Sequence, residues 1–545
     1  MNIAEWTPIL ATIVCVPSSL AVAAGVARDT VSVVPQPMSI ERREGSFVIT
    51  PSTQVIAEGQ AAGGAPKLID ALRPAMGYRL SRVESPTSAT STIRMKIDPS
   101  LRDRIGDEGY ELDVGPQSIN ILACEPAGLF YAVQTLRQLL PPEIFSRQEV
   151  KGIEWSLPCV HVTDRPRLRW RGLLIDPARH FIPVADIERF IDTMALHKFN
   201  RLQIHLTDDQ GWRIEIKRYP QLTETGAWMD FTALSRGGQS ADGPRPGGFY
   251  TQDDIRRLAR YAADRHVTIV PEIEMPAHTG AAIVSYPHLG LHPENLNKLP
   301  IGERWTANER VLAPRPQTVT FMQNVLAEVI GLFPSRHIHI GGDEANIAHW
   351  KQSDEMQAMM HELHLKDETE LHSWFIKQMD TFLTSQGRQL VGWDEILQGG
   401  LASGAVVMSW RGQEGGIKTA QAGHDVVMAP TSHTYFDYYQ GPAQTEPKAI
   451  GGFIPLEKVY GFEPVPEVLD AEQAKHVLGG QGQLWGEYIA DQKHREYMAY
   501  PRAAALAEVL WSPQESRGYE QFRLRLTNHL KRLAVLGTNY RPLDR

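Results

Sequence analysis

Two adjacent carboxylates, Asp343 and Glu344, stand directly behind a glycine pair in the segment HIHIGGDE. Carboxylates so placed suit general acid–base chemistry, in which a side chain protonates a leaving group and later takes a proton from water. Other short apolar runs also end in polar residues of a restricted kind. RGLLID ends at Asp176 and leads to Arg179-His180, RLQIHL leads to Asp208-Asp209, and VTIVPEIE supplies Glu272, Glu274 and then His278. RQLVGW runs into Trp393-Asp394-Glu395, AVVMSW into Trp410-Arg411, DVVMAP is followed by Tyr435-Phe436-Asp437, and GQLWGE carries Trp485 and Glu487. Carboxylates, an arginine and three tryptophans each beside a charge make the mixture that holds a pyranose. Aromatic faces cover its C–H faces, and charged groups hold its hydroxyls.

Taken singly, each of these residues has a plainer reading. A lone Asp-Glu pair is usually a solvated loop, and a lone tryptophan is usually core. His278 reads equally as a hydrogen-bonded core histidine, Asp208 as a turn cap and Arg179 as a structural ion pair. His205, His337 and His339 lie inside apolar runs and read as buried structural residues. Their recurrence at strand ends is what favours a site.

The positioning elements follow from periodicity. The eight runs from Arg171 onward are rich in Val and Ile, and helical patterns at 185–197, 253–265 and 318–332 separate several of them. Strand–helix alternation with apolar strands predicts a parallel sheet covered by helices, and eight strands predict a closed (β/α)₈ barrel with a final helix near 519–536. A doubly wound open sheet is the alternative, without the glycine-rich dinucleotide loop that often accompanies it. Barrel enzymes carry their chemistry at the C-terminal strand ends, where these residues fall. Alternate residues of a strand share a face. Tyr435 with Asp437, and Trp485 with Glu487, are therefore expected to point together, while Gly341-Gly342 frees the backbone so that Asp343 and Glu344 both reach the mouth. Upstream, STIRMKI, YELDV and SINILA read as strands and 128–140 as a helix stopped by Pro141-Pro142. The reading is a small α/β domain at 28–165 and a catalytic barrel at 166–545.

With 545 residues, a net charge of −9 and no long basic run, the chain fits neither nucleic-acid nor membrane-surface binding. Residues 1–27 hold a short apolar run followed by small residues, a leader-like pattern that implies export; the run is too short to span a membrane. Cys124 and Cys159 read as buried thiols, with a single disulfide as the alternative. No ligand spacing of the HExxH kind occurs, so no metal and no cofactor are assigned.

The segments RGLLIDPARHF, LQIHLTDDQGWR, VPEIEMPAHT, HIHIGGDE, VGWDEIL, MSWRG and QLWGEY, in this order, resemble the family 20 glycoside hydrolases, the β-N-acetylhexosaminidases. Ala277 departs from the glycine usual before the histidine. The resemblance implies hydrolysis of carbohydrates ending in N-acetylglucosamine or N-acetylgalactosamine. It implies Glu344 as general acid and base, Asp343 at the acetamido N–H, and Tyr435 at the acetamido oxygen. Trp393, Trp410 and Trp485 would wall the sugar, Arg179, Asp437 and Glu487 would bind its distal hydroxyls, and Asp208 with His278 would support Glu344. Beside Asp343, Glu344 is expected to have a raised proton affinity. Loops at 236–248 and 289–315 are expected to shape outer subsites. Two alternatives stand: a barrel glycosidase using Glu344 with Glu274 or Glu487, and an exported carbohydrate-binding protein without turnover.

Overall fold

The computed structural model describes residues 31–85, 91–228, 247–301, 304 and 310–543. The leader-like segment, nearly all of the expected subsite loop at 236–248, and residues 302–303 and 305–309 of the second loop lie outside the described residues. Among the described residues seven strands precede the barrel: β1 (Ser39–Val48), β2 (Gln54–Ala57), β3 (Ser81–Val83), β4 (Thr92–Ile97), β5 (Tyr110–Val114), β6 (Ser118–Ala123) and β7 (Ser156–Asp164). They form one mixed sheet in the order β1-β7-β5-β6-β4-β2-β3. In β5 and β6 buried residues alternate with less buried ones, as expected of strands that bury one face preferentially. Helices Gly64–Met76 and Pro126–Leu139 bring apolar side chains to the domain's core. The second ends just before Pro141, since the residue preceding a proline is pushed out of helical geometry.

The barrel strands are β8 (Trp170–Ile175), β9 (Arg201–His205), β12 (Thr268–Glu272), β13 (His337–His339), β14 (Gln389–Trp393), β15 (Val406–Ser409), β16 (Val426–Met428) and β17 (Val477–Leu484); a two-rung hairpin, β10 (Thr207–Asp208) and β11 (Gly211–Trp212), follows β9. They pair in parallel in chain order, and β17 closes on β8. The closed ring excludes the open-sheet alternative. β8 and β17 are buried along their whole length, which is why they lack a polar alternation.

β17 begins at Val477, upstream of the run GQLWGE. Its first half, VLGG, is a poor strand sequence, and closure of the ring explains it. A Cβ on Gly479 would stand 1.9 Å from the Trp170 carbonyl oxygen across the β8–β17 seam. Glycine lets the last strand approach the first.

The two domains meet at the N-terminal ends of the barrel strands. Lys198 Nζ donates to Asp164 Oδ2 (2.8 Å), and the Arg171 guanidinium donates to both oxygens of Glu108 (2.8 and 3.0 Å). Cys124 and Cys159 are buried free thiols. Among the described residues no helix is long and apolar enough to cross a membrane.

Candidate active site

The strand ends converge on one imidazole. His278 follows β12 and stands with Nδ1 3.5 Å from Asp208 Oδ1, in the short hairpin after β9. Its Nε2 stands 3.6 Å from Asp343 Oδ2 and 3.4 Å from Glu344 Oε2, both just beyond β13. The local backbone makes this convergence possible. After the three residues of β13 the chain turns through Gly341 (φ 72°) and Gly342 (φ 93°), leaving strand geometry as the glycine pair foretold. A Cβ on Gly341 would meet Glu274 Oε2 at 1.7 Å, so the glycine also makes room for that buried carboxyl group.

His278 (φ 53°) and Glu344 (φ 49°) themselves adopt left-handed backbone, a strain of about 1–3 kcal/mol each for residues with a Cβ. Such strain persists where surrounding structure enforces it and is concentrated at functional sites. Ala277, the departure from the usual glycine, is buried and is not itself among the left-handed residues. Its methyl therefore imposes no strain of that kind.

Charge around His278 alternates in sign. Asp208 is fully buried and faces the Arg179 guanidinium (2.8 Å) and His205 Nε2 (2.9 Å). Burial opposes ionisation of Asp208, yet Arg179 and His278 hold its carboxyl well below the usual range. Burial likewise opposes a charged His278, but Asp208 and hydrogen bonds to Asp343 and Glu344 prevail and hold its proton well above the usual imidazole range. Glu344 corrects the expectation from sequence: its proton affinity is lowered. Its hydrogen bond to cationic His278 outweighs desolvation, and with 59% of its side chain exposed the desolvation is incomplete. The covalent neighbour Asp343 is not the dominant influence; a histidine from another strand is.

Arg179 sits at a junction. It donates to Asp176 (2.9 Å) and Gln210 (3.0 Å), lies 3.9 Å from Glu487, and covers the Trp485 ring at 5.2 Å. The aromatic residues form a contiguous wall. Trp393 lies 5.7 Å from Trp485, Tyr435 lies 6.5 Å from Trp485, and Tyr435 stacks with Trp410 at 6.3 Å. Tyr435 reaches this wall because the chain after β16 returns to bridge Gln483 of β17. Asp437 is buried near Glu487, and desolvation reinforced by that like charge raises its pKa well above normal. Asp343 Oδ1, Asp437 Oδ1 and Glu487 Oε2 are buried acceptors with no hydrogen-bond donor among the described residues. All eleven residues singled out in the sequence thus belong to one region, joined by these contacts and fields.

Other contributors stood at the strand ends without an assigned role, save Glu274, which entered as an alternative second carboxylate. Glu272 is completely buried and accepts from Gln203 Nε2 (2.8 Å), His205 Nδ1 (2.7 Å) and Trp393 Nε1 (3.0 Å), with His339 Nδ1 at 2.9 Å. Glu395 accepts from Trp410 Nε1 at 2.9 Å; burial, opposed by that bond, sets its pKa at about 7. Glu274 is buried beside Asp343 and Glu272, and desolvation with those like charges keeps it protonated well above the usual carboxyl range. The available signal was a polar residue inside an apolar strand, as with Gln203, His205 and His339. Among the described residues three His/Asp/Glu groupings lie close enough to bind an ion, but two share His278 and all belong to this network, so the chemistry of the donor set is explained by ion pairing.

Residues 168–514 match the family model described as glycosyl hydrolase family 20, catalytic domain, and residues 30–165 match its domain 2. The chain belongs to glycosyl hydrolase family 20. It is 40% identical over 513 residues to a Beta-hexosaminidase of Porphyromonas gingivalis, covering 94% of this chain and 64% of that one. It thus spans less than two thirds of that relative's length. A Beta-hexosaminidase of Vibrio furnissii is 36% identical, with 88% of this chain and 76% of that one covered. The fold superposes with a TM-score of 0.82 on a family 20 exo beta-N-acetylglucosaminidase from Vibrio harveyi in complex with N-acetylglucosamine, at 33% identity over 94% of this chain and 78% of that chain. Family membership accounts for both domains and for the barrel.

Proposed function

We propose that this chain removes β-linked N-acetylhexosamine from the non-reducing ends of glycans and chito-oligosaccharides, with the sugar's own 2-acetamido oxygen as nucleophile. One observation carries the mechanism: Asp343 and Glu344 both approach Nε2 of the same imidazole. A protein nucleophile and its partner acid must flank the anomeric carbon from different sides, with carboxyls about 5–5.5 Å apart in retaining enzymes. Two carboxylates gathered on one nitrogen serve instead as an acid and a charge stabiliser.

The sequence of steps follows. Glu344 gives its proton to the glycosidic oxygen while the acetamido oxygen attacks C1 and the C1–O bond breaks, leaving a cyclic cation. Asp343 accepts the acetamido N–H and stabilises the charge growing on nitrogen, a task suited to a fixed, desolvated anion. Tyr435 donates to the acetamido oxygen, and the indoles of Trp393, Trp410 and Trp485 confine methyl and ring. Arg179, Asp437 and Glu487 take the distal hydroxyls. Glu344 then removes a proton from water, which attacks C1 and reopens the ring with net retention. Holding an intramolecular nucleophile in line is worth about 7–11 kcal/mol, which is what the aromatic wall supplies.

His278 and Glu344 together hold one proton. In the free protein it rests on the imidazole. A bound sugar covers Glu344 and excludes water, which favours the neutral pair, and the proton passes from Nε2 to the carboxylate. Export, supported only by the pattern in residues 1–27, belongs to the same proposal, as does acceptance of both gluco- and galacto-configured sugars.

Matched nitrophenyl β-glucoside and β-N-acetylglucosaminide test the reading. Turnover is expected of the acetamido sugar alone, with a β-anomer as the first product by NMR. Equal rates would overturn substrate assistance, and binding without turnover would leave a carbohydrate-binding protein.

A further inference from the structure

Glu272 has no part in the steps above, yet its side chain is completely buried inside the barrel, just below the mouth. A carboxylate offers about four lone-pair sites. Here four side chains from three strands surround it: Gln203 and His205 of β9, His339 of β13 and Trp393 of β14. Both oxygens are engaged, Oε2 by Gln203 and His205 and Oε1 by Trp393 beside His339, so each partner's place is set by the others. The two ring nitrogens of His205 face carboxylate oxygens of Glu272 and Asp208 at 2.7 and 2.9 Å. Only an imidazolium, with a proton on each nitrogen, satisfies both. Asp208 in turn faces His278, which faces Glu344. On its other oxygen, Glu272 holds the indole N–H of Trp393, whose ring touches His339 and Trp485.

We propose that Glu272 is a positioning residue that couples proton handling to sugar binding. It fixes the charge and tilt of His205, and through Asp208 and His278 the proton on Glu344, while anchoring the indole that walls the sugar. Glutamine in its place offers one acceptor oxygen and an amide N–H₂ that confronts a donor. His205 must then shed a proton or turn away, and Asp208 loses a cationic partner.

This inference rests on the hexosaminidase reading, which wild-type turnover of a chitobiose-type disaccharide and a nitrophenyl N-acetylglucosaminide establishes or removes before any variant is made. Given that turnover, Glu272→Gln is expected to lower kcat on the disaccharide by about 100-fold, the lower end of a general acid's worth. On the nitrophenyl substrate, which needs little protonation, the loss should stay below about 10-fold. Equal losses on both substrates would show a merely structural role and overturn the proposal. Trp393→Phe supplies a second measurement should the first variant not fold. It removes one donor from Glu272 but no titratable group, and the coupling predicts that the pH profile of kcat nonetheless shifts. An unshifted profile in a folded Trp393→Phe protein would also overturn it.

Discussion

Where the barrel rests on the N-terminal domain, Asp164 is fully buried and all its acceptor sites are taken. Met38 N–H and Trp511 Nε1 donate to one oxygen, and Lys198 and Tyr110 to the other. Glu108, at the same end, is engaged at both oxygens by Arg171 and Asn200. At the opposite end, Asp343, Asp437 and Glu487 each keep one buried oxygen without a donor among the described residues, and Glu274 keeps two. One scaffold thus buries carboxylates in two ways. The lower set is satisfied by the protein and serves cohesion. The upper set carries a desolvation cost unrelieved by the chain itself, and a sugar with its amide and hydroxyls is the complement. This division matches the general rule that the lower face of such a barrel serves stability and the upper face chemistry.

Substitution at either end breaks the comparison in a different observable. Asp343→Asn is expected to reduce turnover of the acetamido substrate by at least about 10²–10³-fold, the usual worth of one preorganised electrostatic contact. Its thermal midpoint should hold, because Oδ1 has no donor to lose and only the contact of Oδ2 with His278 is weakened. A lowered midpoint with near-normal turnover would reverse the assignment of the two ends. Lys198→Met should do the opposite. It strands Asp164 in the interdomain seam, costing about 3–5 kcal/mol, and leaves kcat within about twofold. Calorimetry beside a standard assay decides between them, and a variant as stable as the wild type would show that the seam is not cohesive.

The comparison also shows what the sequence made legible. Eight apolar runs identified the barrel because strands buried on both faces need no alternation, and polar residues at their ends marked the mouth. β17 was half missed, because its glycines serve a seam with β8 that lies some 300 residues away in the chain, between Gln481 and Trp170. Glu272 was seen but given no role, since its partner Trp393 lies 121 residues downstream and only the closed ring brings them together. The proton affinity of Glu344 was misjudged for the same reason. The neighbour visible in sequence was Asp343, whereas the neighbour that governs it is His278. Residue types announce a site well; the sign of a field inside it depends on contacts that only folding creates.

His278 gives the next test, now within the upper end. With the histidine present, the pair keeps one proton until the pH rises through the imidazole's elevated pKa, so the alkaline limb of kcat/KM lies above the carboxyl range. In His278→Asn only Glu344 can hold that proton. Without the cation its affinity rises, but it still titrates as a carboxyl group, and the alkaline limb should move down by more than about one unit. An unmoved limb in a folded, active variant would dissociate His278 from the acid.

The smallest effect concerns Glu395, where the upper end again contrasts with the saturated lower one. Its carboxyl accepts from Trp410 Nε1 at 2.9 Å and lies 3.7 Å from Arg411, while burial keeps its pKa at about 7. Above that pH the indole donates to a charged acceptor, and below it to a neutral one, a weaker bond. The Trp410 ring stacks beside Tyr435, so its orientation bears on how the acetamido sugar is gripped. As pH falls from 8 to 6 the KM of the wild type should rise by about two- to threefold, the part of that bond's strengthening passed on to the ring. Glu395→Gln, neutral throughout, should show a higher KM that no longer varies over this interval. If the variant keeps the wild-type slope, the pH dependence arises elsewhere and Trp410 is held by packing alone.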